Sequence, residues 1–127
     1  MNTVRAQDRE VTEKYWGYEE LITNTDKYCG KRLVLKEGYR CSLHYHKIKD
    51  ETFYILSGEM HLELDDERVV LNTRDSIRIL PGQKHRFSAP SSSVTFIEVS
   101  MHHEDNDSYR EVPSSVIPKQ TQEGNEP

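Results

Sequence analysis

The sequence predicts an all-β protein, an antiparallel barrel or sandwich, and three observations support that expectation. Short runs rich in β-branched and aromatic residues recur along the chain, among them Tyr28–Lys36, Glu51–Leu56 and Val94–Ser100. Polar turn clusters separate them at intervals of roughly ten residues. Within the runs apolar and polar residues alternate: Glu59–Leu64 puts Met60, Leu62 and Leu64 on one face and Glu59, His61 and Glu63 on the other. Many short strands joined by turns bury their apolar faces by closing on themselves or stacking in two sheets. At 127 residues the chain has room for one domain with a single core.

The elements follow in order. Residues 1–14 are polar, with Val4 and Val11 the only aliphatic residues larger than alanine, and could form a disordered arm, a short helix or an added, even exchanged, strand. Tyr15-Trp16-Gly17-Tyr18 concentrates aromatics and reads as a plug for one end of the barrel. Thr23–Asp26 is a turn, because Thr, Asn and Asp hydrogen-bond to their own backbone. Tyr28–Lys36 is a strand, and His44 and His46 lie on another. Lys47–Asp50 is the polar turn of a hairpin that returns through Glu51-Thr-Phe-Tyr-Ile-Leu. After Glu59–Leu64, with His61 expected at the surface, Asp65–Arg68 is a turn and Val69–Leu71 resumes the strand. Asn72–Asp75 is a turn before the alternating strand Ser76–Leu80, and Gly82 frees the backbone in the turn leading to His85. Ala89–Ser93 is a surface loop, Val94–Ser100 the last strand, and Met101–Asp107 a solvated acidic loop. From Pro113 the chain is rich in Pro, Ser, Gln and Glu, as a mobile tail would be.

One stretch carries chemistry. Residues two apart on a strand share a face, so His44 and His46 project toward one point, and the hairpin brings Glu51 back beside them. His85, just after a tight turn, is the natural further ligand. Imidazoles with one carboxylate suit a divalent transition metal, zinc, manganese, iron or nickel, with positions left open. The spacing Gly38, five residues, His44-x-His46, four residues, Glu51, six residues, Gly58 resembles the first signature of the cupins at every fixed position. Asp75, Ile79, Pro81, Gly82 and His85 resemble the second, although Arg74 stands where that family opens with glycine and Leu80 where it often has proline. The resemblance implies an antiparallel jelly-roll barrel holding one metal ion inside through His44, His46, Glu51 and His85.

A narrower resemblance spans about residues 15 to 110. Trp16-Gly17-Tyr18-Glu19, Lys31–Gly38, Ser42-Leu43 and the Glu104–Arg110 ending are similar to the cupin domains of type II phosphomannose isomerases and mannose-1-phosphate guanylyltransferases. The opening is one residue shorter here, and those enzymes commonly carry glutamine where His44 stands. The resemblance implies an aldose–ketose isomerase acting on a sugar or sugar phosphate. The same ligands also serve an iron-dependent dioxygenase, and a non-catalytic sugar-binding or sensing module is the third alternative. Glu98, within a β-branched strand, is the candidate proton-moving group if it faces inward, where burial would raise its pKa. Arg32, Lys36, Arg40 and Arg78 are candidates for holding a substrate phosphate or carboxylate.

Composition narrows the partners. A net charge of −5 argues against nucleic acid, which needs a clustered positive surface. No apolar run reaches membrane-spanning length and no secretory signal opens the chain, so a cytoplasmic protein is expected. Cys29 and Cys41 are expected as free thiols. The chain should divide into an arm (1–14), a barrel (15–110) and a flexible tail (111–127). A homodimer is expected, because sheet edges need covering and the arm could pair with a neighbour.

Overall fold

The computed structural model of the protein describes residues 2–119. Thirteen strands run in chain order: β1 (Val11–Lys14), β2 (Gly17–Asn24), β3 (Cys29–Leu35), β4 (Tyr39–Arg40), β5 (Leu43–His46), β6 (Glu51–Ser57), β7 (Met60–Leu64), β8 (Glu67–Leu71), β9 (Ser76–Ile79), β10 (His85–Ser88), β11 (Val94–Ser100), β12 (Ser108–Val112) and β13 (Ser115–Val116). Every pairing is antiparallel. One sheet has the order β1-β2-β3-β11-β6-β9; the other runs β12-β5-β10-β4-β13, with β7 joining β10 to β8. Among the described residues no helix is long and apolar enough to cross a membrane.

The alternation of each strand sorts its residues between solvent and interior. On β3, Cys29, Lys31, Leu33 and Leu35 are buried while Arg32 and Val34 are less so; on β11, Val94, Phe96 and Glu98 are buried. Register then builds rows across the sheet: Leu35 pairs with Val94, Leu33 with Phe96, and Lys31 with Glu98. The neighbouring strand continues them, with Ile55 opposite Phe96, Phe53 opposite Glu98 and Glu51 opposite Ser100. One end of the interior is therefore apolar and the other polar. Between them lies an aromatic layer: Phe96 meets Phe53 at 5.0 Å and Phe87 at 5.1 Å between ring centroids, and Trp16 stands edge-on to Phe87 at 5.1 Å. Each such buried ring contributes about 1.5–3 kcal/mol, so this layer joins the two sheets firmly. Trp16 is buried in the core and also lines the cavity that His44 and His46 line. Cys29 and Cys41 are buried free thiols, and burial pushes Cys41 up to about 12.

Segments near both ends of the described residues join the sheets. β1 pairs with β2 of its own chain, and Arg9 Nη1 donates to the carbonyls of Leu21 at 3.2 Å and Ile22 at 3.0 Å, so Val11–Lys14 of the arm is an added strand, preceded by a single 3-10 turn at Ala6–Asp8. The tail expected from residue 111 needs correction, because β12 continues to Val112 and Ser115–Val116 pairs with Tyr39–Arg40. Arg86 Nη2 donates to the Pro113 carbonyl at 2.9 Å and Arg40 Nε to Ser115 Oγ at 2.9 Å. These arginines reach the segment from other strands, which its own composition does not reveal. The remaining expected tail, residues 120–127, lies outside the described residues.

Two backbone positions test the local chemistry. Gly58 has φ +91°, and a Cβ there would collide with the Ser93 carbonyl. Gly58→Ala should destabilise by about 2–3 kcal/mol or more, from strain and collision together, read as a fall in denaturation midpoint at constant slope. Arg74, where the resemblance expects glycine, sits at φ 77°. Arg74→Gly should leave stability unchanged or raise it by up to about 1 kcal/mol, because relief of the left-handed strain outweighs glycine's entropy.

Candidate metal centre

His44 and His46 extend from one face of β5, Glu51 opens β6 and His85 opens β10. The ladders bring them together: His85 is directly opposite His44, and Gly82 in the preceding turn donates its amide to the His46 carbonyl at 2.7 Å. The ligand atoms of the three histidines lie within 4.8 Å of one another and could hold a metal ion. Glu51 Oε2 is 3.3 Å from His46 Nε2 and 3.4 Å from His85 Nε2. His46, Glu51 and His85 are buried and His44 is half-buried.

Backbone carbonyls set all three tautomers. His44 Nδ1 is 2.8 Å from the Ser42 carbonyl, His46 Nδ1 3.0 Å from that of Asp107, and His85 Nδ1 3.0 Å from that of Gln83. A carbonyl oxygen only accepts, so each Nδ1 carries the proton and donates, and each Nε2 keeps a lone pair. Glu51 Oε2 and His85 Nε2 are buried with no hydrogen-bond partner among the described residues. Lone pairs facing a carboxylate oxygen repel one another unless a cation lies between them. Donors bonded at about 2.1 Å and at right angles stand about 3 Å apart, close to the 3.3 and 3.4 Å that separate Glu51 Oε2 from His46 and His85. The donor set therefore fits a divalent transition metal. Burial, together with the neighbouring His85 and His46 rings, lowers His44 to about 3, so it stays in the neutral form a ligand requires. Burial works to raise the Glu51 carboxyl, yet the net shift is downward, and the Lys49 ammonium 3.5 Å from Oε1 is the cation that favours its charged form.

A second charged group borders this centre. Lys49, only 4% exposed, places Nζ 3.0 Å from Glu98 Oε2 and 3.5 Å from Glu51 Oε1. Burial works to lower the Lys49 pKa, yet Glu98 and Glu51 more than offset it and the net shift is upward. The lysine loop is built by Asp107, a buried acid whose carboxylate accepts the amides of Lys47 at 2.9 Å, Ile48 at 3.2 Å and Lys49 at 2.9 Å. Because the Asp107 carbonyl also accepts from His46, one residue positions both charged groups. A cavity of about 600 Å³ opens over them, its wall including Trp16, Lys31, Phe53, His103 and Arg110.

The structure brings His44, His46, Glu51 and His85 together. Glu98 faces inward on the face with Phe96 and is buried, but its charge is compensated by Lys49, a partner the sequence argument did not supply. Arg32, Lys36, Arg40 and Arg78 do not line the cavity; Lys14, Lys31, Lys49 and Arg110 do. Strand parity explains Arg32, which is turned away from the face of Lys31 and lies 3.7 Å from Glu20. Arg40 is held by Ser115, Lys36 lies over the Tyr39 ring, and exposed Arg78 pairs with Asp50 at 2.6 Å. His61 pairs with Glu59 at 2.9 Å and is partly exposed. The acidic loop is not wholly solvated, because His103 turns into the cavity wall and Asp107 into the interior. Lys49 had no signal in its polar turn; Asp107 had a faint one in the Glu104–Arg110 ending.

This fold and donor set define the class of protein: the chain belongs to the cupin family, described as Cupin domain, whose sequence model matches residues 31–100. It is 29% identical over 90 residues to a mannose-1-phosphate guanylyltransferase of Sinorhizobium fredii, an alignment that takes in 70% of this chain and 18% of that one. An uncharacterised Bacillus subtilis protein, YdbB, is 32% identical over 87 residues, covering 68% of this chain and 74% of its own length. A D-lyxose/D-mannose isomerase of Thermosediminibacter oceani is 28% identical over 67% of this chain and 62% of its own. The chain thus spans under a fifth of the guanylyltransferase it matches. Among solved structures, oxalate decarboxylase from Bacillus subtilis, an enzyme with Mn(II) centres, superimposes with a TM-score of 0.73 at 20% identity over 82% of this chain and 30% of that one. KdgF from Halomonas sp. superimposes with a TM-score of 0.72 at 16% identity over 80% of this chain and 95% of its own. These likenesses show the jelly-roll cupin fold.

Calorimetric titration of the metal-free full chain with Mn(II) or Zn(II) should give one ion per chain. His85→Ala should weaken that affinity by about 10–100-fold or more, since a donor is lost and its neighbours must recruit water. Metal at a hundredfold excess over Kd should stabilise the folded chain by about 2.7 kcal/mol, reversed by chelator.

Proposed function

We propose that this cupin is a metal-dependent isomerase that interconverts an aldose and a ketose, as the free sugar or its phosphate. The observation that supports this most directly is the buried Glu98–Lys49 pair, 3.0 Å apart, on the wall of the cavity that His44, His46 and Glu51 also line. Likeness to a D-lyxose/D-mannose isomerase and to mannose-1-phosphate guanylyltransferases favours a sugar as the substrate class. His44, His46, Glu51 and His85 would hold one divalent transition metal ion, which when bound polarises a carbonyl and its neighbouring hydroxyl.

The chain's own residues do the rest. The Glu98 carboxylate takes the proton from the carbon beside the substrate carbonyl, and the electron pair left behind forms the double bond of an enediol. Glu98 then returns the proton to the adjacent carbon, while a hydroxyl proton passes between the two oxygens, so that aldose and ketose differ by no net atom. The Lys49 ammonium holds Glu98 in place and offsets negative charge developing on the substrate oxygens. Trp16 and Phe53 form an apolar part of the wall that limits water near the reacting carbons.

The test is a panel of free and phosphorylated sugars with the metal-loaded full chain in deuterated water. Incorporation of deuterium at the carbon next to the carbonyl is the expected result. Glu98→Gln should keep its metal and lose about 100-fold or more of that exchange. Unchanged exchange in this variant would remove Glu98 from the mechanism. Binding of sugars without exchange by the unaltered protein would favour a sensing module instead, and oxygen uptake with iron a dioxygenase.

A further inference from the structure

The Lys49 ammonium has three N–H bonds and, outside the metal centre, faces a partner that the proposed chemistry does not use. Its Nζ lies 3.0 Å from Glu98 Oε2, 3.2 Å from His103 Nδ1 and 3.5 Å from Glu51 Oε1. On the far side of the His103 ring, Nε2 is 2.8 Å from Asp105 Oδ1. A carboxylate only accepts, so Nε2 carries the proton and Nδ1 presents a lone pair to the ammonium. This is the opposite tautomer from that of His44, His46 and His85, whose Nδ1 atoms donate to carbonyls.

The backbone of His103 is pinned as well. Its amide donates to Asn24 Oδ1 at 3.0 Å, and Asn24 Nδ2 donates to its carbonyl at 3.2 Å. Burial, with Lys31 and Lys49 adding to it, lowers the His103 pKa against the opposing effects of Asp105 and Glu98, which favours the neutral ring an acceptor must be. His103 and Asp105 line both the main cavity and an adjoining recess of about 270 Å³ bounded by Glu10, Lys14 and Glu19.

We propose that His103, oriented by Asp105, is a positioning residue that completes the acceptor shell of the Lys49 ammonium and so holds Lys49 against Glu98. The catalytic consequence rests on the isomerase reading of the same cavity; the geometric one does not. Without His103, one N–H of a nearly fully buried ammonium has no partner, and the group relaxes toward Glu51. That movement separates it from Glu98.

The test has two arms on the full chain. In the first, nitrogen-15 spectra of labelled histidine and lysine at neutral pH should show His103 as the Nε2–H tautomer and the Lys49 ammonium protons protected from exchange with water. His103→Leu should abolish that protection and His103→Gln, whose amide oxygen accepts, should preserve it. An Nδ1–H tautomer, an imidazolium, or equal protection in both variants would overturn the proposal. If His103→Leu does not fold, Asp105→Ala at a fully exposed side chain serves instead, and there the tautomer preference should weaken. In the second arm, the metal-loaded His103→Leu protein should lose about 10–100-fold in kcat with KM and metal content unchanged, and His103→Gln should recover most of it. Equal losses in both variants would assign His103 a merely structural role. Absence of isomerisation in the unaltered protein would defeat the isomerase reading alone, because the spectra still decide whether His103 holds Lys49.

Discussion

Glu51 is 2% exposed and turns one carboxylate oxygen toward the ring nitrogens of His46 and His85, and this concentration of buried lone pairs is the constraint on which the rest of the polar end depends. Such a group is tolerable only if positive charge is close by. Lys49 supplies part of it at 3.5 Å, and a divalent ion held by the three histidines would supply the rest. The neighbouring features answer the same demand. Backbone carbonyls of Ser42, Gln83 and Asp107 fix the imidazole tautomers, and the Asp107 carboxylate fixes the loop that delivers Lys49.

The barrel can hold this charge because its interior is divided along the strands. β3, β6 and β11 each carry a charged residue toward one end of their inward face and apolar ones toward the other: Lys31 before Leu33 and Leu35, Glu51 before Phe53 and Ile55, and Glu98 after Phe96 and Val94. Antiparallel register puts the charged members at the same end, with Lys31 opposite Glu98 and Glu51 opposite Ser100. The aromatic layer of Phe53, Phe87 and Phe96 closes the apolar half and forms a floor beneath His85, 6.3 Å from the Phe53 ring. Stability and chemistry thus occupy different halves of one interior, and a side chain in the polar half can be exchanged without removing the apolar packing that holds the sheets together.

Cavity electrostatics bear on substrate. The wall combines Lys14, Lys31, Lys49 and Arg110 with Glu13, Glu19, Glu51, Glu98 and Asp105, so charges of both signs are spread around it. Several are already paired, Lys31 with Glu19 at 3.3 Å and Lys49 with Glu98 at 3.0 Å. Such a wall offers many donors and acceptors beside the apolar part formed by Trp16 and Phe53, in keeping with the polyhydroxylated substrate of the proposed reaction.

Local pattern determined the strands, most turns and the four residues of the candidate metal centre, because period-two alternation and the spacing from Gly38 to Gly58 act over a few residues at a time. The same pattern showed that Phe96 and Glu98 share a face but not which way the face points. Only the pairing of β11 between β3 and β6 decided that, by placing Phe96 against Phe53 in the core. Tertiary structure alone also selected the cavity's cations: Arg32, Lys36, Arg40 and Arg78 are as basic as Lys31, Lys49 and Arg110, and strand parity or a distant partner sorted one set from the other. Lys49 is buried in what reads as a polar turn because Asp107, 58 residues further on, gathers its amide. Pro113–Val116 joins a sheet because arginines from other strands reach it. Contacts of this kind depend on which segments meet in space, and a composition or a spacing measured along one segment carries no record of them.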